Sequence, residues 1–184
     1  MARERQTDLA VLGALSIAPM TGYALREGIR DVLGQFWSES FGQIYPTLAR
    51  LEGEGYVVRR ASGRASVFAL TTAGRVRLRE LLARPAAPAP PRNGLLLRLF
   101  FGHELGPAAC RALVEQHRAD AVGTLAGLAA ARADVEAEPP SDHRAYALLT
   151  VSAGEHGARA AVAWADEALA LLDELAAPPP TAPH

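Results

Sequence analysis

Residues 42–56 read GQIYPTLARLEGEGY, and this stretch decides the fold of the first half of the chain. Ile44, Leu48 and Leu51 recur at helical spacing, which predicts a helix with one buried face. Its opposite face carries small and polar residues: Gly42, Gln43, Pro46, Ala49 and Arg50, with Thr47 at the margin. A face with so little bulk can approach another surface closely while one amide and one guanidinium project from it.

Two helices are predicted before this stretch. Thr7 can cap the first, over residues 8–17, and Thr21 can cap the second. Ser38 or Ser40 can then cap the helix that carries the decisive stretch. Three helices in close succession are typical of a helix-turn-helix domain.

Two strands and a fourth helix are predicted after it. Residues 56–59 and 66–70 are rich in β-branched and aromatic side chains, and residues 61–63 read Ala-Ser-Gly, which suits a turn. Thr71 or Thr72 can cap the helix that follows. The order of three helices, a hairpin and a helix is that of a winged helix-turn-helix, whose third helix can enter the major groove of DNA.

The predicted reading residues are Gln43, Thr47 and Arg50. An amide can bond adenine with two hydrogen bonds, and a guanidinium can do the same with guanine. Side chains expected at the DNA backbone are Ser40, Tyr45, Arg59, Arg60 and Arg64. Phosphate contacts of this kind position a protein without specifying sequence. Two alternatives stay open, because hairpin arginines are often only a solvated face and Tyr45 suits packing at the edge of the core equally well.

Charge divides unevenly along the chain, although the 184 residues together have a net charge of −1. The first 84 residues hold twelve arginines and eight acidic residues, a net charge of +4; the remaining 100 hold seven and twelve, a net charge of −5. A basic N-terminal half suits a nucleic-acid partner. Lysine is absent, which excludes a Walker A lysine, a Schiff-base lysine and a Ser-Lys hydrolase.

A proline-rich segment divides the chain. Residues 84–92 read RPAAPAPPR, in which four prolines prevent a helix or a central strand. We therefore expect a winged-helix domain at 1–84, a linker at 85–94, a helical dimerisation domain at 95–177 and a flexible tail at 178–184. The fold class predicted is mainly α with a small β-hairpin, an N-terminal winged helix-turn-helix followed by an antiparallel helical region.

Three helices are predicted in the C-terminal half. Residues 95–101 read LLLRLFF, which predicts a short buried helix. Pro107 suits the first turn of a long helix. Ser141 can start the last helix, in which Gly154 and Gly157 are expected to produce a kink. One apolar row of the long helix recurs every seven residues: Val114, Ala121, Leu128 and Val135.

The last helix carries two apolar seams. One is Val162, Ala165, Leu169 and Leu172, and the other is Trp164, Ala168, Leu171 and Leu175. Arg159, Asp166 and Asp173 are expected to point away from both seams. Two seams need two partners, and one helical hairpin supplies only one. A homodimer is therefore predicted, with Val162, Trp164, Leu169, Leu171, Leu172 and Leu175 at its interface.

Other kinds of site find little support. Phe100, Phe101 and Trp164 could line a pocket for a small aromatic or apolar effector, although aromatic residues are more often plain core. Cys110 and His117 share a helical face but lack a second ligand pair at zinc spacing, so no metal or cofactor is predicted. No catalytic motif appears, and the protein is not expected to be an enzyme. Without a signal peptide or a membrane-spanning run, a cytoplasmic protein without membrane contact is expected.

The same residues resemble the PadR family of bacterial transcriptional regulators. The similarity rests on Thr21-Gly22-Tyr23, on the run YPTLARLEGEG at 45–55, and on Leu70-Thr71-Thr72-Ala73-Gly74. The stretch LLLRLFFG at 95–102 and the later Trp164 are similar to the helical C-terminal region of virulence-gene activators in one PadR branch.

The resemblance implies a homodimeric, sequence-specific DNA-binding protein, usually a repressor. It also implies that the third helix reads a pseudo-palindromic operator and that some members leave DNA when they bind small ligands. The alternative that the residues leave open is a winged-helix adaptor that binds proteins and makes no DNA contact.

Overall fold

The computed structural model describes four stretches of the chain: residues 2–29, 41–62, 65–85 and 93–176. Backbone contacts group the chain into two units, Met1–Ala89 and Pro90–His184. The boundary between them lies inside the segment predicted to be a linker. Ser38, Ser40, Gly63 and Arg64 lie outside the described residues.

The first unit is a winged helix-turn-helix. Its elements are α1 (Ala2–Ile17), β1 (Met20–Thr21), α2 (Gly22–Gly28), α3 (Ile44–Gly53), β2 (Val57–Ser62), β3 (Ala65–Leu70) and α4 (Thr72–Leu82). A 3₁₀ turn over Phe41–Gln43 leads into α3. Two predicted caps are confirmed: Thr21 Oγ1 accepts from the Ala24 amide at 3.1 Å, and Thr71 Oγ1 accepts from the Gly74 amide at 3.0 Å.

The predicted start of the first helix is wrong. α1 already begins at Ala2, so Thr7 is an interior residue of this helix and is buried. Residues 2–6 read Ala-Arg-Glu-Arg-Gln, all of which are strong helix formers. Their propensity extends the helix past a threonine that local capping chemistry alone would favour as its first residue.

The three strands form one antiparallel sheet in the order β1–β3–β2. Pairing between β2 and β3 continues as far as Ser62 and Ala65. The predicted turn at 61–63 is therefore misplaced, because Ala61 and Ser62 belong to the strand. The short strand β1, which pairs Met20 with Phe68, was not predicted, since two residues carry no periodic signal.

One hydrophobic core holds the first unit together. Its buried members are Val11, Leu12, Leu15, Leu25, Ile29, Ile44, Leu48, Leu51, Val57, Phe68, Leu78 and Leu81. Ile44, Leu48 and Leu51 enter it from α3, as the helical spacing predicted. Each such side chain stabilises the fold by about 1.5–3 kcal/mol. Because the apolar face of α3 is buried in this core, the opposite face of the helix lies on the outside of the unit.

The second unit is an antiparallel helical hairpin preceded by a short helix. Its elements are α5 (Gly94–Phe100), α6 (Pro107–Ala137) and α7 (Asp142–Ala176). Pro107 occupies the first turn of α6, and Ser141 Oγ accepts from the Arg144 amide at 3.1 Å, so both predicted starts are confirmed. The row Val114, Ala121 and Leu128 is buried.

α7 continues through Gly154 and Gly157 as one uninterrupted helix. A Cβ added to Gly154 would meet both terminal methyl carbons of Leu128 at 3.1 Å. This glycine therefore lets α6 and α7 approach each other closely at this position.

Candidate nucleic-acid interface

The outer face of α3 and of the turn before it presents an exposed surface of mostly small side chains. Gly42, Gln43, Pro46 and Ala49 are exposed, whereas the opposite face is buried in the core. Gln43 immediately precedes the helix and its side chain makes no capping hydrogen bond. Its amide is therefore available to a partner at the N-terminal end of α3.

Thr47 is the one predicted reading residue that the fold turns inward. The prediction that it lies at the exposed margin of α3 is wrong, because only 8% of the residue is exposed. The helical wheel puts Thr47 beside the apolar face, and packing against the core decides such borderline positions.

Arg50 is held by two carboxylates on either side of its guanidinium. One terminal nitrogen forms an ion pair with Asp8 on α1, and the other donates to Glu54 Oε1 at 2.8 Å. Burial tends to lower the pKa of Arg50, but the hydrogen bond to Glu54 and the charge of Asp8 raise it overall. Burial also raises the pKa of the Asp8 carboxyl, which Arg50 offsets only in part.

The hairpin strand β2 carries two arginines with different surroundings. Arg59 donates to Glu52 Oε2 of α3 at 3.0 Å, and its guanidinium carbon lies 5.1 Å from the centre of the Phe68 ring. Arg59 therefore ties the wing to α3. Arg60, the next residue along, is exposed. Arg60 and not Arg59 presents the freer positive charge on this strand.

Tyr45 lies at the edge of the same surface, and its ring packs on the first residue of α2. A Cβ added to Gly22 would lie 2.7 Å from Tyr45 Cε1, so only glycine leaves room for the ring as it stands. Tyr45 remains 53% exposed and its neighbour Tyr23 is also exposed. Tyr45 thus partly fits both alternatives: one side of its ring packs at the edge of the core, and the rest of the side chain is accessible to a partner.

The second unit exposes a large apolar surface. Although α5 forms where predicted, the prediction that it is buried is wrong for the single chain: Leu96, Leu97, Phe100 and Phe101 are all exposed, Phe100 by 80%. Phe100 and Phe101 contact each other edge to face, with ring centres 5.1 Å apart. Side chains of this kind on a soluble surface mark an interaction site.

The two predicted seams of α7 differ in exposure. Ala165 is fully buried and Val162, Leu169 and Leu172 are half-buried, whereas in the other seam Leu171 and Leu175 are exposed. The side chains of the first seam are thus largely buried within the chain, whereas Leu171 and Leu175 at the end of the second seam stay exposed.

Asp166 and Asp173, which were expected to point away from both seams, are exposed and pair with arginines of α6. Asp166 accepts from Arg118 Nε at 2.6 Å, and Asp173 forms an ion pair with Arg111. These pairs form because the long arginine side chains of α6 extend to the flanks of α7.

The residues that were considered for a pocket or a metal site have other contacts. Trp164 meets His117 edge to face with ring centres 5.6 Å apart, and Cys110 is buried with its thiol 3.6 Å from the Gly102 carbonyl oxygen. No group of three or more His, Cys, Asp or Glu side chains in the described stretches could hold a metal ion.

Sequence reasoning missed three residues that shape the surface around α3: Asp8, Glu52 and Gly22. Asp8 lies 42 residues before its partner Arg50, and no local pattern announces such a contact. A detectable signal existed for Glu52, since a carboxylate near the end of a helix commonly pairs with arginines of the following strand.

An exposed, small-sided third helix beside a hairpin that bears arginines defines a winged helix-turn-helix protein. Comparison with known families agrees. Residues 11–80 match the transcriptional regulator PadR-like family, and residues 91–173 match the virulence activator alpha C-terminal family. These two matches confirm the predicted resemblance to the PadR family, and the mainly helical fold with its small antiparallel sheet confirms the predicted fold class.

Individual relatives extend the comparison. The chain is 30% identical over 103 residues to the negative transcriptional regulator PadR of Bacillus subtilis, a match that covers 53% of this chain and 57% of that one. The chain spans about half the length of the curated relatives it matches. These relatives are described as transcriptional regulators, and not as enzymes.

Solved structures match over nearly the whole chain. Bacillus subtilis PadR in complex with operator DNA superposes with a TM-score of 0.77 at 25% identity, covering 90% of this chain and 98% of that one. The same protein with p-coumaric acid gives 0.74, again at 25%, with the same coverage. The virulence activator AphA of Vibrio cholerae gives 0.74 at 25% identity, covering 92% and 99%. The PadR-like regulator BC1756 of Bacillus cereus, at 22% identity, shares the fold with a TM-score of 0.79 over 91% and 98%.

Within the described residues, no helix is long and apolar enough to cross a lipid bilayer.

Proposed function

We propose that this chain is a sequence-specific DNA-binding regulator of transcription that acts as a homodimer on a pseudo-palindromic operator. The observation that carries the proposal is the exposed N-terminal end of α3, where Gln43 has no intramolecular cap bond and small residues follow it. Recognition helices meet base edges with their N-terminal residues. Repression is the proposed mode, because the Bacillus subtilis relative is a negative regulator, and the cytoplasm, where bacterial DNA lies, is the proposed location.

Gln43 is proposed to read a base, and Tyr45 and Arg60 to hold the DNA backbone. The structure leaves all three residues exposed. A glutamine amide pairs best with adenine, and a phenol or a guanidinium can bond a phosphate oxygen. Ser40 and Arg64 stay predictions of backbone contact.

The homodimer is proposed to form through the second unit. It would cover α5 and the exposed end of the second seam of α7, where Leu171 is 57% exposed. Two linked reading heads then gain effective concentration on half-sites about 34 Å apart.

Sedimentation of the full chain tests the dimer. Leu171→Asp should give monomers without unfolding the chain, since the side chain is already exposed. Val76→Asp provides the matched control, because Val76 is an exposed apolar residue of α4 in the first unit. A Leu171→Asp variant that still sedimented as a dimer would move the interface elsewhere.

A small aromatic effector is proposed to loosen the complex with DNA. The Bacillus subtilis relative has been solved with p-coumaric acid, and the exposed pair Phe100 and Phe101 offers aromatic contact area in this chain. An effector can shift the equilibrium only if it binds the DNA-free state more tightly. Titration of the protein–DNA complex with p-coumaric acid should lower its DNA affinity, and an unchanged affinity would exclude this compound.

Selection of bound sequences from a random duplex pool tests DNA recognition directly. The expected result is an enriched pseudo-palindrome whose half-sites are one helical turn apart. Affinity should fall with salt, with a slope near −0.9 for each phosphate neutralised. If no sequence were enriched and binding did not depend on salt, the adaptor alternative would take its place.

A further inference from the structure

We infer that Arg50 is a positioning residue, which fixes α3 on α1 through Asp8 and does not read bases. The inference rests on the proposed DNA-binding function and assigns base reading to the N-terminal end of α3. It reverses the role that residue type and helical position suggested for Arg50.

The first argument is geometric. A guanidinium that reads guanine needs two N–H groups pointing at the base. In Arg50 one terminal nitrogen is bonded to Asp8 and the other to Glu54. Each terminal nitrogen keeps a second N–H, but Asp8 and Glu54 fix the plane of the guanidinium, so Arg50 could read a base only in the direction that these two bonds leave.

The second argument is the burial of Asp8. Only 7% of Asp8 is exposed, and it lies on α1 inside the first unit. Removal of its guanidinium would leave a buried carboxylate without its charged partner, which is strongly unfavourable. Because Asp8 is buried on α1, it cannot move with the Arg50 side chain towards DNA, and the ion pair therefore holds Arg50 against α1.

The third argument is that the pair does not act mainly as a source of stability. Burial raises the pKa of Asp8 despite the neighbouring Arg50, so the ionised carboxyl costs free energy where it lies. Arg50 is itself half-buried, and an ion pair to a buried carboxylate can fix one geometry rather than add stability. Here the pair fixes the position of α3 relative to α1. The approach of Gln43 to the DNA groove depends on that position.

Three variants of the full chain test the inference, with duplex-pool selection and affinity for the selected site as readouts. Arg50→Ala and Asp8→Ala each remove one partner. The double variant Asp8→Leu/Arg50→Met replaces the pair by apolar side chains that can pack between the helices. Gln43→Ala is the control for lost base reading, and circular dichroism establishes that each variant is folded at the assay temperature.

A positioning role predicts that both single variants bind the selected site less tightly, by roughly tenfold, a change equivalent to about 1.4 kcal/mol. The loss should be similar for random DNA, and the double variant should restore affinity to within about threefold, equivalent to about 0.7 kcal/mol. The sequence it selects should be that of the wild type. Gln43→Ala should instead relax the preference at one position in each half-site.

A reading role for Arg50 predicts the opposite pattern. Asp8→Ala would then free the guanidinium, and affinity would hold or rise. The double variant would lose roughly 5- to 150-fold in affinity, the range expected for a lost two-pronged contact, and would select a degenerate base at one position. Either result overturns the inference while leaving the proposed function in place. If the wild type itself enriches no sequence, the proposed function fails first.

Discussion

Gly74 lies where α4 begins and where its backbone almost touches the start of β2. A Cβ at this position would lie 2.0 Å from the carbonyl oxygen of Tyr56, whereas real Cβ atoms essentially never come within 3.0 Å. In Gly74→Ala, therefore, either the helix or the carbonyl must move by about 1 Å. The same carbonyl accepts from the amide and from the hydroxyl of Thr71, both at 3.1 Å, so the movement would also break the cap of α4.

The expected magnitude follows from these two losses. Overpacking of a tight site costs about 1–3 kcal/mol, and each hydrogen bond that is lost costs about 0.5–1.5 kcal/mol. Gly74→Ala should therefore lower the free energy of unfolding of the first unit by about 2–6 kcal/mol, a large part of the 5–15 kcal/mol typical of a domain.

Amide hydrogen exchange read by mass spectrometry is the appropriate assay, because it measures protection peptide by peptide and so reports on the first unit separately from the second. The control is Gly13→Ala, within α1, where an added Cβ would meet no atom within 4 Å and should stabilise the helix by about 0.5–1 kcal/mol. Protection in β2 and α4 should fall in Gly74→Ala and rise slightly in the control. Equal protection in the two variants would refute the close approach of Gly74 to Tyr56.

Two further predictions concern the helical hairpin and the surface around α3. Glu155 accepts from Arg132 at 2.8 and 3.1 Å and from Arg159 at 3.0 Å, and the hydrogen bonds from Arg132 are the main cause that lowers its pKa from 4.5 to about 2. The stability that this carboxylate supplies should be complete above about pH 4.5 and should be lost as pH falls towards 2. The melting temperature of the wild type should therefore fall over this pH range, whereas that of Glu155→Gln should not show this fall. Parallel falls in the two melting temperatures would contradict the prediction. Gly22→Ala should displace the exposed ring of Tyr45 and weaken DNA binding several-fold with little change in melting temperature, and unchanged affinity would remove Tyr45 from the interface.

Local chemistry made part of the fold predictable. The inward face of α3 follows from the spacing of three apolar residues, and Thr21 and Thr71 cap their helices because a side-chain oxygen can reach an amide three residues on. These features depend only on neighbours in the chain. Thr7 shows the limit of that reasoning, since the helix-forming residues before it outweigh its capping preference.

The candidate site was less predictable, because contacts between distant residues decide it. Arg50 has the chemistry and the helical position of a base reader, but its state depends on Asp8, which comes 42 residues earlier. Arg59 likewise depends on Glu52. Residue type indicates what a side chain can bind, but only the folded structure shows which partner it does bind.

The acidic excess of the C-terminal half has a structural use that net charge alone does not reveal. Along the α6–α7 hairpin, arginines of α6 meet carboxylates of α7 in antiparallel order: Arg111 with Asp173, Arg118 with Asp166 and Arg132 with Glu155. A slip of one helical turn, about 5.4 Å, would break all three pairs. We therefore argue that the charged pairs and the apolar row select the same register, and that the apolar row also provides the packing. Because register sets how far each end of α7 projects, these pairs also determine where the exposed Leu171 and Leu175 would meet a second copy of the chain.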